Sequence, residues 1–371
     1  MIIKLRIPNG KVKLRKNLQG AGESKMKFNL AFIGFGTVGQ GLAKILVDKE
    51  ELLKRKYNFE YNVVAVSDIK KGSVYNENGL NLKKLLQLVQ QTGKIEDYED
   101  GQKGLSSVEV IEKSNADIIL EVTWTNIETG EPGLTHMKTA LNAGKHVVTT
   151  NKGPIALAYH ELMQIAKAHN VFLRFEGTVL SGTPAINLSL EDLAGAHVKS
   201  VRGIVNGTTN YILTQMEAGK SYKEALETAQ RLGYAEADPT MDVEAWDPVA
   251  KITILANVVM GGNVKVKDVE RKGITGVTME DIKAAKSEGK RIKLIAKAWR
   301  ENGEVKAKVS PEKIPLTDIL AHIGGTLNAL TFDTDVLKDV TVVGRGAGGI
   351  EAGYALLSDM LAINRYVGGT R

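Results

Sequence analysis

The chain has 371 residues, 43% of them hydrophobic, with no cysteine and a formal net charge of +6. The lack of cysteine excludes disulfides, thiolate metal sites and cysteine nucleophiles, and leaves nothing to argue for an oxidising compartment, so a cytoplasmic protein is expected. No apolar run reaches the roughly 18 residues that cross a bilayer. The excess positive charge sits in residues 1–25, where Lys4, Arg6, Lys11, Lys13, Arg15, Lys16 and Lys25 face only Glu23; the expected partners therefore include neither membrane nor nucleic acid.

The basic extension, residues 1–25, alternates apolar and basic residues around Pro8-Asn9-Gly10, a β-hairpin pattern. Its role stays open between an edge hairpin, an extension without fixed structure and a start codon placed upstream of Met26. From Lys27 an apolar strand runs into Gly34-x-Gly36-x-x-Gly39 and then into a helix with apolar residues at Val38, Leu42, Ile45 and Leu46. Strand, glycine turn and helix in that order form a dinucleotide-binding unit, with the pyrophosphate on the helix N-terminus near Thr37 and Val38. A second strand, "YNVVAVSD", ends at Asp68, where an acid would hold a ribose hydroxyl. Its distance from the glycines exceeds the usual spacing of about 20 residues, and the charged stretch between them accounts for a longer helix. Asp68 disfavours a 2′-phosphate and Lys70 and Lys71 favour one, so NAD and NADP both remain open.

Residues 72–104 read as polar and irregular with one short helix, "LKKLLQLVQQ". The strands "ADIILEVTWTN" and "KHVVTTNKGP" then end in Thr123, Trp124, Thr125 and Asn126, and in Asn151 and Lys152. In an open α/β sheet these carboxyl ends line the ligand crevice. The six histidines show no metal-binding helical spacing and receive no role. Near residue 170 the βα pattern gives way to mixed α+β. The expected fold class is thus α/β, with a Rossmann domain (26–170), an α+β domain (171–340) and a C-terminal segment (341–371) containing a second glycine-rich entry and an amphipathic helix.

The stretch "LGYAEADPTMDVEAWDPVAK" (232–251) carries Glu236, Asp238, Asp242, Glu244 and Asp247 and ends on Lys251. Asp247-Pro248 reads as an N-cap followed by the first helical residue. Lys251 lies four residues further on, at the spacing of a helical ion pair.

Taken together, "GFGTVGQG" (34–41), "TTNKGP" (149–154), "EGTVLSGTP" (176–184), "NGTTNYIL" (206–213), "GYAEADPTMDVEAWDPVAK" and "GRGAG" (344–348) resemble homoserine dehydrogenase in its short form, without an ACT or aspartate-kinase module. The resemblance implies reversible oxidation of L-homoserine to L-aspartate 4-semialdehyde with NAD or NADP, in threonine, methionine and isoleucine biosynthesis. It implies a homodimer built on the second domain and a C-terminal helix that returns to the Rossmann domain. On this resemblance Lys251 and Lys152 are the catalytic lysines, and Lys152 also touches the cofactor. Glu236, Asp242, Asp247, Gly207 and Thr208 bind the amino acid. Gly34, Gly36, Thr37, Val38, Gly39, Asp68, Thr123, Thr125, Gly346 and Gly348 bind the cofactor. Glu176, with carbonyls near Val179, Ser181 and Thr183, implies a sodium or potassium site. Ala245 departs from a glycine common in the family, and Trp124 from a proline. Alternatives are a dehydrogenase for another small amino acid and a dinucleotide-binding regulatory protein without turnover.

Overall fold

The computed structural model describes residues 27–368, so the expected hairpin of the basic extension lies outside the described residues. Strands β1 (Lys27–Ile33), β2 (Glu60–Asp68), β3 (Gly72–Tyr75), β4 (Gln102–Lys103), β5 (Ile118–Glu121), β6 (His146–Thr149) and β7 (Leu173–Arg174) form one sheet in the order β4-β3-β2-β1-β5-β6-β7. The central pairs are parallel, and the antiparallel β3 and β4 extend one edge. Those two short strands stand at the ends of the segment 72–104, which the sequence pattern predicts to be irregular apart from one helix. They escape sequence reading because four and two residues are too few to set a period.

Helices α1 (Thr37–Tyr57), α2 (Leu82–Thr92), α3 (Ser107–Lys113), α4 (Gly133–Asn142) and α5 (Lys152–Ala168) belong to this first unit. Continuous apolar runs such as Ala31–Ile33 and Val63–Val66 are buried, as a parallel sheet covered on both faces requires. His146 fits here as a packing residue: its Nδ1 accepts the Phe172 N–H, and burial lowers its pKa to about 4.

The second unit follows with β8 (Val198–Ile204), β9 (Glu270–Arg271), β10 (Lys290–Glu301), β11 (Glu304–Pro315), β12 (Leu327–Thr334) and β13 (Lys338–Arg345). Their order is β13-β12-β8-β10-β11-β9, antiparallel except where β9 joins β11. Helices α6 (Gly207–Glu217), α7 (Tyr222–Arg231), α8 (Thr240–Val243), α9 (Trp246–Val258) and α10 (Met279–Ser287) accompany it. Alternation on the long strands separates an inward row, Ile292, Leu294, Ala296 and Ala298, from a row that includes Ile295 and Lys297.

The last helix, α11 (Gly349–Gly368), returns to the first unit. Its Leu356, Leu357, Met360 and Ile363 share a core with Leu42, Ala43 and Leu46 of α1. The approach needs glycine: a Cβ on Gly41 would lie 2.1 Å from the Gly349 carbonyl oxygen, and one on Gly353 2.5 Å from the Leu42 nitrogen.

Candidate active site

The first half of the site is the turn between β1 and α1. Gly34 has φ +98°, and a Cβ there would sit 2.6 Å from the Val122 carbonyl oxygen. A Cβ on Gly39 would meet the Gly34 oxygen at 2.8 Å, so these two glycines are required by packing. Gly36 differs: a Cβ would meet nothing within 4 Å. Its open face lies at the uncapped N-terminus of α1, next to the exposed Thr37 and half-buried Val38. Free amides beside open space are what a pyrophosphate needs, so the residues present fit a dinucleotide. The N-terminus of α11 comes to the same place, since a Cβ on Gly349 would touch Thr37 Cγ2 at 2.6 Å. Just before it, Gly348 holds φ +131°, while Gly346 packs against the buried Asn328 amide.

Asp68 stands beside the glycine turn. Its Oδ2 accepts the Phe35 N–H at 2.8 Å, and Oδ1 accepts those of Lys70 and Lys71 at 3.0 and 3.1 Å. Burial acts to raise its pKa, but these amides and the Lys71 ammonium, 3.6 Å away, hold it below the usual carboxylate value.

At the ends of β5 and β6, Thr123 donates its hydroxyl to Glu121, which is fully buried and also meets His136 Nδ1 at 3.4 Å and the Thr149 hydroxyl at 3.3 Å. Asn151 caps α5 through Gly153 N–H and donates Nδ2 to the Trp124 carbonyl at 3.2 Å. A Cβ on Gly153 would lie 2.2 Å from the Asn126 oxygen. "Thr-Asn-Lys-Gly" therefore fixes one loop against another and starts α5 at Lys152. Thr125 is half-buried in that loop.

The second half is built on α6 and α9. Asn206 caps α6 by accepting the Thr209 N–H at 2.9 Å, and its Nδ2 donates to Asp242 at 2.6 Å and to Asp247 at 3.0 Å. Lys251 Nζ is 2.7 Å from Asp247 Oδ2 and donates to the Val205 carbonyl at 2.6 Å. Lys152 Nζ reaches the other oxygen of Asp247 at 3.4 Å. One carboxylate thus joins two lysines from the two halves of the chain. The side chains of Lys251, Asp247 and Lys152 are 9%, 14% and 26% exposed, which leaves Lys152 the more open to the crevice.

The two acids are driven apart. Burial would raise Asp247, but Lys251, Lys152 and the Asn206 amide outweigh it and hold the group well below the ordinary range. Burial and the adjacent Asp247 push Asp242 upward, against the Asn206 amide and Lys251.

Asp247 is not the helix cap expected from Asp-Pro. Helix α9 begins at Trp246, after Ala245 in a left-handed conformation (φ +65°). The backbone there does take the positive φ that makes the departure from glycine matter. Freed from capping, the Asp247 side chain turns to the lysines. Thr208 donates to the Tyr234 carbonyl at 2.6 Å, and a Cβ on Gly207 would meet the Thr326 oxygen at 2.7 Å, so both anchor the loops around the acids. Glu236 lies on the exposed side of its loop, outside this hydrogen-bonded group, and Asp238 bonds within its own turn to Thr240. Asn206 and Val205 are the members missed in the sequence; the Asn-Gly-Thr start of α6 carries the signal of a cap.

The Glu176 carboxylate is taken by the amides of Ala185, Ile186 and Asn187. Burial and the neighbouring Asp359 push its pKa up to about 7. A cation here would therefore be held by main-chain carbonyls, with the Ser181 hydroxyl, which is buried without a partner, as the side chain that fits it. The Thr183 hydroxyl donates to Arg345, and Val179 is buried. Among the described residues no three His, Asp or Glu side chains cluster as a metal site. No described helix is long and apolar enough to cross a membrane.

Comparisons with known proteins cover both units of the fold. Residues 34–176 match the model described as homoserine dehydrogenase, NAD binding domain, and residues 184–361 match that of homoserine dehydrogenase. The homoserine dehydrogenase of Methanocaldococcus jannaschii is 46% identical over 90% of this chain and 98% of its own length. The NAD(+)-dependent homoserine dehydrogenase of Pseudomonas canavaninivorans is 42% identical over 91% and 97%. A solved hyperthermophilic archaeal homoserine dehydrogenase in complex with NADPH superposes with a TM-score of 0.79, at 31% identity, covering 92% of this chain and 98% of that one. With matches over both units of the fold, the chain belongs to the homoserine dehydrogenase family.

Proposed function

We propose that the chain interconverts L-homoserine and L-aspartate 4-semialdehyde with NAD or NADP, using Lys152 and Lys251 for proton transfer. The observation that carries this reading is the single Asp247 carboxylate shared by the two lysines beside a dinucleotide crevice. When bound, the nicotinamide ring supplies the hydride acceptor. The chain's own residues then have three tasks: to hold the substrate ammonium, to take the hydroxyl proton and to keep water away.

Asp242, with Glu236 at the loop mouth, answers the first through charge-assisted hydrogen bonds. An analogue without the amine leaves these acids unpaired, which discriminates by as much as about 10⁴-fold. For the second, Asp247 stays ionised and holds both lysine side chains in place, and the lysine that takes the hydroxyl proton does so as its neutral amine. A free lysine, with a pKa near 10.4, is a poor base at neutral pH.

The same reading divides the chain near residues 170 and 340, puts the protein in the cytoplasm and makes it a homodimer through the second sheet. Leu327 and Val343, both exposed and on the face of Ala329, support that pairing. A sodium or potassium ion on the 176–183 loop completes the proposal. Mixing the protein with L-homoserine and either NAD+ or NADP+ and following nicotinamide reduction tests the activity. Folded protein that reduces neither would sink this reading and leave a dehydrogenase for another small amino acid or a nucleotide-binding regulator.

A further inference from the structure

We infer that the fully buried Glu121 is a positioning residue for the reaction: it fixes the Thr123 hydroxyl as an acceptor toward the crevice, so that this side chain takes a hydrogen-bond donor from the ligand and rejects a second acceptor. The inference rests on the dinucleotide reading of the crevice and goes beyond it in giving a task to an acid that faces away from solvent.

Glu121 ends β5 with no exposed surface, where a carboxylate is strongly destabilising unless its lone pairs are met. Three elements converge on it. From the loop after its own strand, the Thr123 hydroxyl and, at 3.3 Å, the Thr123 N–H come to Oε1. From α4 the buried His136 brings Nδ1 to the same oxygen at 3.4 Å. From β6 the Thr149 hydroxyl donates to the Glu121 main-chain carbonyl at 2.7 Å and lies 3.3 Å from Oε2. As a carboxylate Glu121 only accepts, so the Thr123 hydroxyl donates to it and His136 carries its hydrogen on Nδ1.

This has a chemical consequence for Thr123. A hydroxyl has one hydrogen and two lone pairs, and the hydrogen is spent on Glu121. The half-buried side chain therefore shows the crevice only an acceptor. Asn151 keeps the arrangement from relaxing, because its Nδ2 donates to the Trp124 carbonyl at 3.2 Å and stands 3.5 Å from the Thr123 oxygen, again on its acceptor side. Without the acid the hydroxyl would turn to suit either a donor or an acceptor. The proposed reading gives the substrate ammonium to Asp242 and the hydroxyl proton to the lysines. The ligand donor left for the end of β5 is the carboxamide N–H of the nicotinamide.

The test is a calorimetric titration of the full chain, without homoserine, with NADH and with reduced acetylpyridine adenine dinucleotide, in which a methyl ketone replaces the carboxamide and no N–H remains. NADH is expected to bind about 3- to 10-fold more tightly, the size of one net hydrogen bond. Thr123→Val removes the acceptor and should bring this ratio near one. Glu121→Met, of similar length but without an acceptor, should do the same with Thr123 in place, and Glu121→Ala is the second variant if Met does not fold. Glu121→Gln still offers Thr123 an oxygen and should keep the ratio. A merely structural acid would weaken both nucleotides alike and leave the ratio where it was. Equal binding of the two nucleotides by the unaltered chain overturns the inference, and so does a ratio that survives in folded Glu121→Met or Glu121→Ala, or in Thr123→Val. If neither nucleotide binds to the unaltered chain, the dinucleotide reading itself falls, and this inference with it.

Discussion

Replacing Asp247 by Asn probes the centre of the proposed site, and replacing Asp242 by Asn gives the opposing control. At an effective dielectric near 20, a unit charge pair at the 2.7 Å of Lys251 is worth about 6 kcal/mol, and at the 3.4 Å of Lys152 about 5 kcal/mol. Desolvation of three partly buried ions consumes most of that sum, and removing one member of a buried pair typically costs 3–5 kcal/mol. Asn keeps one oxygen toward Lys251, so Asp247→Asn should lower the unfolding free energy by about 3 kcal/mol at pH 7, read from urea denaturation. Because the folded Asp247 has a pKa below its unfolded value, this stabilisation is complete above about pH 5 and fades as the pH falls through the acid range. Asp242 has the opposite sign. Its folded pKa is raised, so its ionisation costs stability as pH rises through that value, and Asp242→Asn should be neutral or stabilising by about 1 kcal/mol at pH 7. Equal losses for the two variants, or an Asp247→Asn loss that persists undiminished at pH 3, would refute the division of roles between the acids.

Lys251→Ala and Lys152→Ala should each lower kcat by about 10²- to 10⁴-fold, the range of a positioned proton-transfer group, while NADH titration of Lys251→Ala stays near that of the unaltered chain; unchanged turnover removes the proton-transfer assignment. Gly34→Ala, which combines a positive φ with a 2.6 Å clash on Val122, should cost about 2–4 kcal/mol in stability. Gly36→Val should fold normally and weaken NADH binding by about tenfold or more, and unaltered binding would show that the open face at Gly36 is not a ligand surface. Ala245→Gly should stabilise by about 0.5–1 kcal/mol, the relief of a left-handed alanine less the extra chain entropy of glycine, visible as a rise in Tm.

What the sequence reveals depends on how local the physics is. The glycine turn, the strand-end acid and "Thr-Asn-Lys-Gly" are readable because each is a short local pattern of strand, turn and helix start, although the contacts that require Gly34 and Gly153, with Val122 and Asn126, come from distant segments. The Lys251–Asp247 pair is readable for the same reason, being one helical turn. Lys152 is different. Nothing in its spacing links it to Asp247, which lies in the other half of the chain, and only the packing of α5 on α9 joins them. Local rules also mislead where a tertiary demand is stronger. Asp247-Pro248 looks like a cap, yet the carboxylate is drawn to two ammonium groups and the helix starts two residues earlier, at Trp246 after a strained alanine.

The return of α11 explains why the second glycine-rich segment could not be valued from its own residues. As an isolated stretch, "GRGAGG" followed by apolar helical positions is only a terminal packing element. In the fold, Gly41 and Gly353 let α11 touch the backbone of α1, which brings two helix N-termini to one end of the crevice. Further along the same helix the fully buried Asp359 accepts the Glu176 N–H at 2.8 Å and the Asn187 amide at 3.0 Å, and Arg174 stands 3.5 Å away to balance it. One helix therefore sets both the nucleotide turn and the loop that leads into the second domain. Small side chains on α1 matter to the cofactor as much as the residues that face it, because they determine how near the second N-terminus can come.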